Sequence, residues 1–353
     1  AHPQAKCRSL PVMPLQTNVF NFHKIAQANL TCDGDFANQF FVDEYRYHLI
    51  PEILKDLPTV SLTYHLNKPI PGGYTQYRHK IFANLGFHCD ISKNNVLLDI
   101  YGNNVAVPIA HHMLLHSSIR WLTANNNGLL LHAGSVAKNG KSVIFSGRGG
   151  AGKTTTTSLI LSSGDGWQIH ADDYIFLRQE KSLAYVTRSH LYKDLLSWVP
   201  EVGPRLTTWE KVRLEVLGQI RYHTQEGIKW PVRLSSDRLW PDVEICDHAD
   251  AAAILLLDRQ DVSTPKIVLE TNLDKAADEL IEMNFYEARH YIELLKKAGI
   301  FTDTWLSEWK DLERAALMTT LSKVPVYHFV MPFYSDKSQQ SSELLHSLNE
   351  LVK

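Results

Sequence analysis

The chain has 353 residues, 44% hydrophobic and 21% charged, with a formal net charge of −2. This is the composition of an ordinary globular protein with room for two domains and a sizeable core. It contains no strongly basic block, which argues against general nucleic-acid or membrane-surface binding, and no apolar run reaches the length of a membrane span. The polar start of the chain has no secretory-signal core, so cytoplasmic residence is expected. Cys7, Cys32, Cys89 and Cys246 form no C-x-x-C pair and are expected to be free thiols, mostly buried. The 17 histidines are scattered. His111 and His112 are adjacent, so on a helix they point different ways, and no metal site is expected from them.

Pro3, Pro11 and Pro14 mark residues 1–20 as an irregular lead-in. Residues 20–106 mix short strands and turns. Alternation predicts a strand over 60–65 and another over 95–101, with a Pro-Ile-Pro-Gly-Gly turn at 69–73 between them. Residues 105–107 are expected to pair back as a hairpin. This stretch shows no catalytic constellation, and 1–107 is read as a small β-rich accessory domain. Pro108 is placed to open a helix. Leu115, Ile119 and Leu122 carry that helix, and Asn125-Asn126-Asn127-Gly128 ends it. Residues 108–353 form the second domain.

That domain gathers the chemistry. A buried strand over 129–131 delivers His132, and 134–137 continue it. Asn139-Gly140 is the strongest short hairpin signal. The return strand, 142–146, runs into Gly147-Arg148-Gly149-Gly150-Ala151-Gly152-Lys153-Thr154, which fits G-x-x-x-x-G-K-[ST] at every fixed position. The glycines let backbone N–H groups curl around phosphate oxygens, Lys153 reaches the outer phosphates, and the Thr154 hydroxyl can ligate Mg²⁺. A helix predicted over 155–163 adds its N-terminal dipole to the anion site. A glycine-rich turn that binds nothing is the bland alternative, and the order strand, loop, helix disfavours it.

Gly164-Asp165-Gly166 then breaks the chain, and a strand over 167–170 leads to Asp172-Asp173. One carboxylate can hold Mg²⁺ or its water, and the other can accept the proton of an attacking hydroxyl. Residues 174–178 continue extended. Further on, 191–198 and 208–217 read as helices and 229–238 as irregular and basic. Residues 251–257, 266–270 and 324–331 read as strands. Residues 274–297, 304–321 and 342–352 read as helices.

Taken jointly, Leu130-Leu131-His132-Ala133-Gly134-Ser135-Val136-Ala137, Gly140-Lys141-Ser142-Val143-Ile144-Phe145-Ser146-Gly147, the phosphate loop and His170-Ala171-Asp172-Asp173 resemble the HPr kinase/phosphorylase-like serine kinases, whose catalytic domain is related to phosphoenolpyruvate carboxykinase. The likeness is close over 108–175 and looser beyond. It implies an α/β fold, with a phosphate-loop kinase domain built on a mixed central sheet and a small β-rich N-terminal domain. It implies ATP or another nucleoside triphosphate, Mg²⁺, and transfer of the γ-phosphate to an alcohol hydroxyl of a peptide or protein serine or a small metabolite. By the same likeness, Gly147, Arg148, Gly149, Gly150, Ala151, Gly152, Lys153, Thr154 and Thr155 would cradle the nucleotide. Thr154 and Asp172 would hold the metal, Asp173 would act as base, and His132 would stand near the phosphates.

The chain also departs from that family. The later glycine-rich signature, with its second metal carboxylate, is not visible, and Glu201 stands at a comparable distance in different surroundings. Neither the reverse phosphorolysis nor an HPr substrate is therefore implied, and the chain looks like a diverged branch. Arg233 and Arg238 are candidates for a clamp on the phosphates. The resemblance admits a homo-oligomer. A different class, a nucleotide-dependent switch or ATPase working through a partner, needs a water-positioning glutamine or glutamate and switch-like loops, and none is clear.

Overall fold

The computed structural model describes residues 15–79, 82–225, 230–262, 265–332 and 337–352. Seven strands come first: β1 (Gln16–Phe22), β2 (Ala26–Cys32), β3 (Leu49–Ile50), β4 (Thr59–Leu66), β5 (Thr75–His79), β6 (Ala83–Ile91) and β7 (Asn95–Gly102). They form one mixed sheet in the order β3-β1-β2-β4-β7-β6-β5, with β2–β4 and β4–β7 parallel. Alternating side chains define its covered face. Val60, Leu62 and Tyr64 on β4 and Val96, Leu98 and Ile100 on β7 are buried, while the residues between them are not. The helix Asp35–Tyr45 and the segment 106–125 pack on that face.

Residues 105–107 do not return as a strand; Ala106–Ala110 is helical. The reason is local. The Asn103 side chain and carbonyl both accept from the Ala106 N–H, at 3.0 and 2.9 Å, which starts a helix instead of a hairpin. Pro108 falls within the first turn, where its missing N–H costs nothing. The helix passes through one π turn, His111–Leu115, into His116–Asn125. Every residue from His116 to Ala124 is buried, so this segment is enclosed on all sides.

The second sheet contains β8 (Leu129–Leu131), β9 (Ala133–Lys138), β10 (Lys141–Ser146), β11 (Gln168–Ala171), β12 (Ile175–Arg178) and β13 (Lys181–Leu183). After a separate two-stranded ribbon, β14 (Ser189–Leu191) with β15 (Val232–Leu234), it continues with β16 (His248–Gln260), β17 (Lys266–Glu270) and β18 (Val326–Pro332). Its path is β11-β9-β10-β16-β13-β12-β8, with β18 added to β16 and β17 to β18. The expected hairpin is present: Lys138 pairs with Lys141, and Asn139 and Gly140 take the left-handed φ values of 55° and 74° that a two-residue turn requires.

Two long strands are interrupted at one level. β8 runs into β9 across the single residue His132, and β11 runs into β12 across residues 172–174. β9 pairs with β11 and β8 with β12, so the pairings close on themselves, and both gaps face each other. One apolar core contains Leu62 and Ile100 of the first sheet together with Ile119, Leu130 and Phe176, so the two sheets share it. A second core, including Val143, Phe145, Ile160 and Leu255, lies under the helix that follows the glycine-rich loop.

Elsewhere the expected elements shift. Residues 191–198 divide into the end of β14 and the short helix Leu195–Trp198. The long helix expected over 274–297 breaks at Ala288 into Leu273–Glu287 and Arg289–Lys297. The stretch 229–238 holds β15 and the turn Ser236–Leu239, with residue 229 outside the described residues. Cys32 and Cys89 are buried free thiols and Cys246 is a half-buried one; Cys7 lies outside the described residues. Among the described residues no helix is long and apolar enough to cross a membrane.

Candidate active site

The loop at 147–152 joins β10 to the helix Lys153–Ser162, two residues earlier than the sequence pattern suggests. Its glycines answer specific steric demands. A side chain at Gly147 would meet Ala151 Cβ at 2.8 Å and the Leu257 carbonyl oxygen at 3.2 Å, while Gly150 and Gly152 adopt φ of 88° and 104°. The first amides of the helix have no partner within it, an arrangement that can take an anion. Lys153 is buried, and its ammonium donates to the Gly147 carbonyl at 2.8 Å. Burial lowers its pKa, against the pull of Asp173, Glu287 and Asp172.

Those aspartates fill the gap between β11 and β12, opposite His132. An ionised carboxylate can only accept, so His132 Nε2–H donates to Asp173 Oδ1, at 3.0 Å. Burial alone would raise the Asp173 pKa. The charge and hydrogen bond of His132, with His190 and Lys153 behind it, outweigh burial and hold the group well below the usual carboxylate range. Its side chain keeps 26% of its surface open to an incoming group. Asp172 behaves oppositely. Burial and the neighbouring Asp173 charge push it up to about 7, although the His190 N–H (3.4 Å) and the Thr154 and Ser189 hydroxyls pull it down. The backbone comes close here as well, since a side chain at Gly134 would meet Thr157 at 2.9 Å and the Asp172 carbonyl at 3.0 Å.

Several contributors carry no local signal in the sequence. Glu287, at the C-terminal end of its helix, lies beside the loop; a side chain at Gly149 would come within 4.0 Å of its carboxylate. A carboxylate in that position opposes the helix dipole, a cost that its proximity to Lys153 and the loop offsets. Arg259, following the buried stretch of β16, lies 3.9 Å from the same construction at Gly152. Asn284 of the Glu287 helix accepts the His132 N–H at 2.8 Å and donates to Glu313, which binds the buried Arg120. Phe329, Trp198 and Leu159 form a small apolar pocket against Gly152 and Thr155.

The ribbon β14–β15 links the aspartates to a larger cleft. Burial and the Arg233 charge push His190 down to about 3, and its Nε2 has no hydrogen-bond partner. Arg233, opposite it in register, pairs with the buried Glu44 at 3.0 Å, as does Arg188 at 2.9 Å. Both arginines line a cleft of 640 Å³ whose other walls include Phe40, Pro108, Trp209 and Val212. Neither candidate clamp residue is free for phosphate in this arrangement. Arg238 is bonded through both terminal nitrogens to Glu210 in the cap of the helix Thr208–His223, and Arg233 serves Glu44. Glu201 is exposed in the turn Pro200–Arg205. The adjacent histidines fall in the π turn. His111 is buried with both nitrogens unpartnered, while His112 feels the charges of Asp173 and Glu287. π turns occur frequently at functional sites, but the sequence alone does not reveal one.

Comparison of the chain with protein-family models and with curated proteins finds no match.

Proposed function

We propose that the protein is an ATP- and Mg²⁺-dependent kinase that phosphorylates an alcohol hydroxyl, on a peptide or protein serine or on a small metabolite. The observation that carries this reading is an open, ionised Asp173 held by His132 next to a phosphate loop whose lysine is buried at the same point. A cradle alone fits any nucleotide-binding protein; a poised carboxylate beside it fits transfer to an acceptor.

The residues present fit both absent groups. The loop amides, Lys153 and Arg259 would hold a triphosphate. Thr154 and Asp172 would hold Mg²⁺, and the raised Asp172 pKa marks a carboxylate in want of a cation. When bound, ATP supplies the transferred phosphoryl group and Mg²⁺ neutralises its charge. The chain's own residues do the rest. Asp173 would orient the acceptor O–H and take its proton as the oxygen bonds to phosphorus and the bond from phosphorus to the departing nucleoside diphosphate breaks. A base of low pKa suffices, because in a loose transition state the proton leaves late. His132 keeps Asp173 aimed and ionised. Lys153 and the helix N-terminus stabilise the charge that develops on the equatorial oxygens. The 640 Å³ cleft behind Arg188 and Arg233 is the place for the acceptor's body.

Asp173→Asn tests the assignment. Transfer from γ-labelled ATP should fall by about 10²–10⁴-fold, with nucleotide binding retained. A variant that transfers at the parental rate removes Asp173 from the mechanism. A screen of hydroxylated metabolites and serine peptides that releases phosphate but labels no acceptor would favour the ATPase reading.

A further inference from the structure

Three donor side chains converge away from the phosphate loop, where the two sheets meet. His23 stands at the tip of the β1–β2 turn, and Asp247 and His248 open β16. His23 Nδ1 lies 3.6 Å from Asp247 Oδ1, and His248 Nδ1 lies 2.7 Å from Asp247 Oδ2. The ligand atoms of the three residues all lie within 4.8 Å of one another.

The tautomer of His23 makes this convergence informative. Its Nε2 is 2.5 Å from the Ala184 carbonyl oxygen, which can only accept, so Nε2 carries the proton. In the neutral ring Nδ1 is then a bare lone pair directed at a carboxylate, and the two repel. The His23 side chain is 6% exposed and packed edge-on against His48, Phe176 and His248, so the ring is held where it stands. A divalent cation between the ring nitrogen and the carboxylate satisfies both electron-rich atoms. A ring N–H given to a backbone carbonyl is also how metal-bound histidines are commonly oriented.

We propose that His23, Asp247 and His248 form a zinc site. Two imidazole nitrogens and one carboxylate suit Zn²⁺, with water completing a tetrahedron. The supports are in place. The Tyr47 hydroxyl donates to Asp247 Oδ1 at 3.1 Å, and His248, 60% exposed, can turn its ring toward the ion. His23 and Lys24 both have left-handed backbone, with φ of 54° and 58°, so the turn that presents His23 is a strained one that a ligand would hold. The ion would tie a turn of the first sheet to the first residues of β16 in the second.

The test is competition of the tag-free, chelator-stripped full chain with a chromogenic zinc indicator. The parental chain should take one zinc. His23→Asn, which tolerates a left-handed backbone, and His248→Ala, at an exposed position, should each weaken binding by about 100-fold. Both variants should keep Mg-ATP binding, which shows that they are folded. Zinc should raise the melting temperature of the parent and of neither variant. A parental chain that takes no zinc overturns the proposal. So do variants that bind zinc as tightly as the parent, which would place the ion elsewhere, for instance at His132 and Asp173.

Discussion

Asp172 and Asp173 are covalent neighbours with opposite electrostatics. Asp173 faces His132 and stays ionised, while Asp172 is bonded by hydroxyls and one amide, and burial with the Asp173 charge pushes its pKa up to about 7. That separation is what the proposed division of labour, Asp173 as base and Asp172 as metal ligand, requires. It also has a stability signature. Because the folded pKa of Asp172 lies above its unfolded value, the folded state holds a proton between about pH 4 and 7 that the unfolded state has lost, so this residue's contribution falls as pH rises through that window. Asp172→Asn should therefore stabilise the metal-free protein by a few kcal/mol at pH 8 and by nothing near pH 4. Urea unfolding at the two pH values checks this, and an equal effect at both rules out the raised pKa. The same variant should lose Mg²⁺ dependence of nucleotide binding.

At the scale of elements, the site is a paired interruption in two strands, braced by one helix. The part legible in the sequence is local: Asn139-Gly140 fixes the hairpin, the glycines fix the loop, and the apolar runs fix the strands that end at His132 and Asp172. What was not legible arrives from far along the chain. Asn284 and Glu287 belong to a helix whose pattern shows only which face is buried, and nothing in it announces that Asn284 grips the His132 amide. The ribbon with His190 and Arg233 leaves no pattern, with Leu191 falling in the expected helix 191–198 and Arg233 in the irregular 229–238, because strands of three residues are too short for a periodicity. Residues 105–107 mislead because Val-Ala-Val gives no hint that the Asn103 side chain will accept from the Ala106 N–H and start a turn. The Arg120–Glu313–Asn284 chain gives a prediction at this scale. Asn284→Ala leaves a buried carboxylate and a buried amide each short of a partner, which costs about 1–3 kcal/mol. It should lower kcat more than it raises KM, since it loosens His132 and not the phosphate cradle. A change in KM alone would show that Asn284 serves only the core.

Across the whole molecule, the histidines are the unusual feature. His48, His116 and His190 are driven to about 3, and His170 to about 4, mainly by burial. Each is neutral when folded and protonated when unfolded between those values and about pH 6.5, so stability drops as pH falls through that window. Asp172 works in the opposite sense, but burial lowers His23, His111 and His112 as well, so the histidines dominate. The expected outcome is a steep acid transition, with stability lost at several kcal/mol per pH unit around pH 5. Melting temperatures measured from pH 8 to pH 4.5 check it, and a flat profile would contradict the burial of these rings. Composition hinted at this only as a high histidine count. The α/β class with a mixed sheet follows from the resemblance carried by residues 108–175, and the structure has it. The closing of the second sheet's pairings was not legible, because it depends on which strands become neighbours.

The wholly buried helix His116–Asn125 has a consequence for how such a protein changes over generations. One side of it touches β2 and β4, and another touches β8 and the helix Asp303–Leu321. The half that carries the 147–154 loop and the half that gives the large cleft its Phe40 and Asn104 wall thus read their shape from the same nine side chains. A lineage that alters the cleft cannot do so by exchanging its first hundred residues as a cassette. It has to drift residue by residue, with each change on one side of the shared helix answered by another across it.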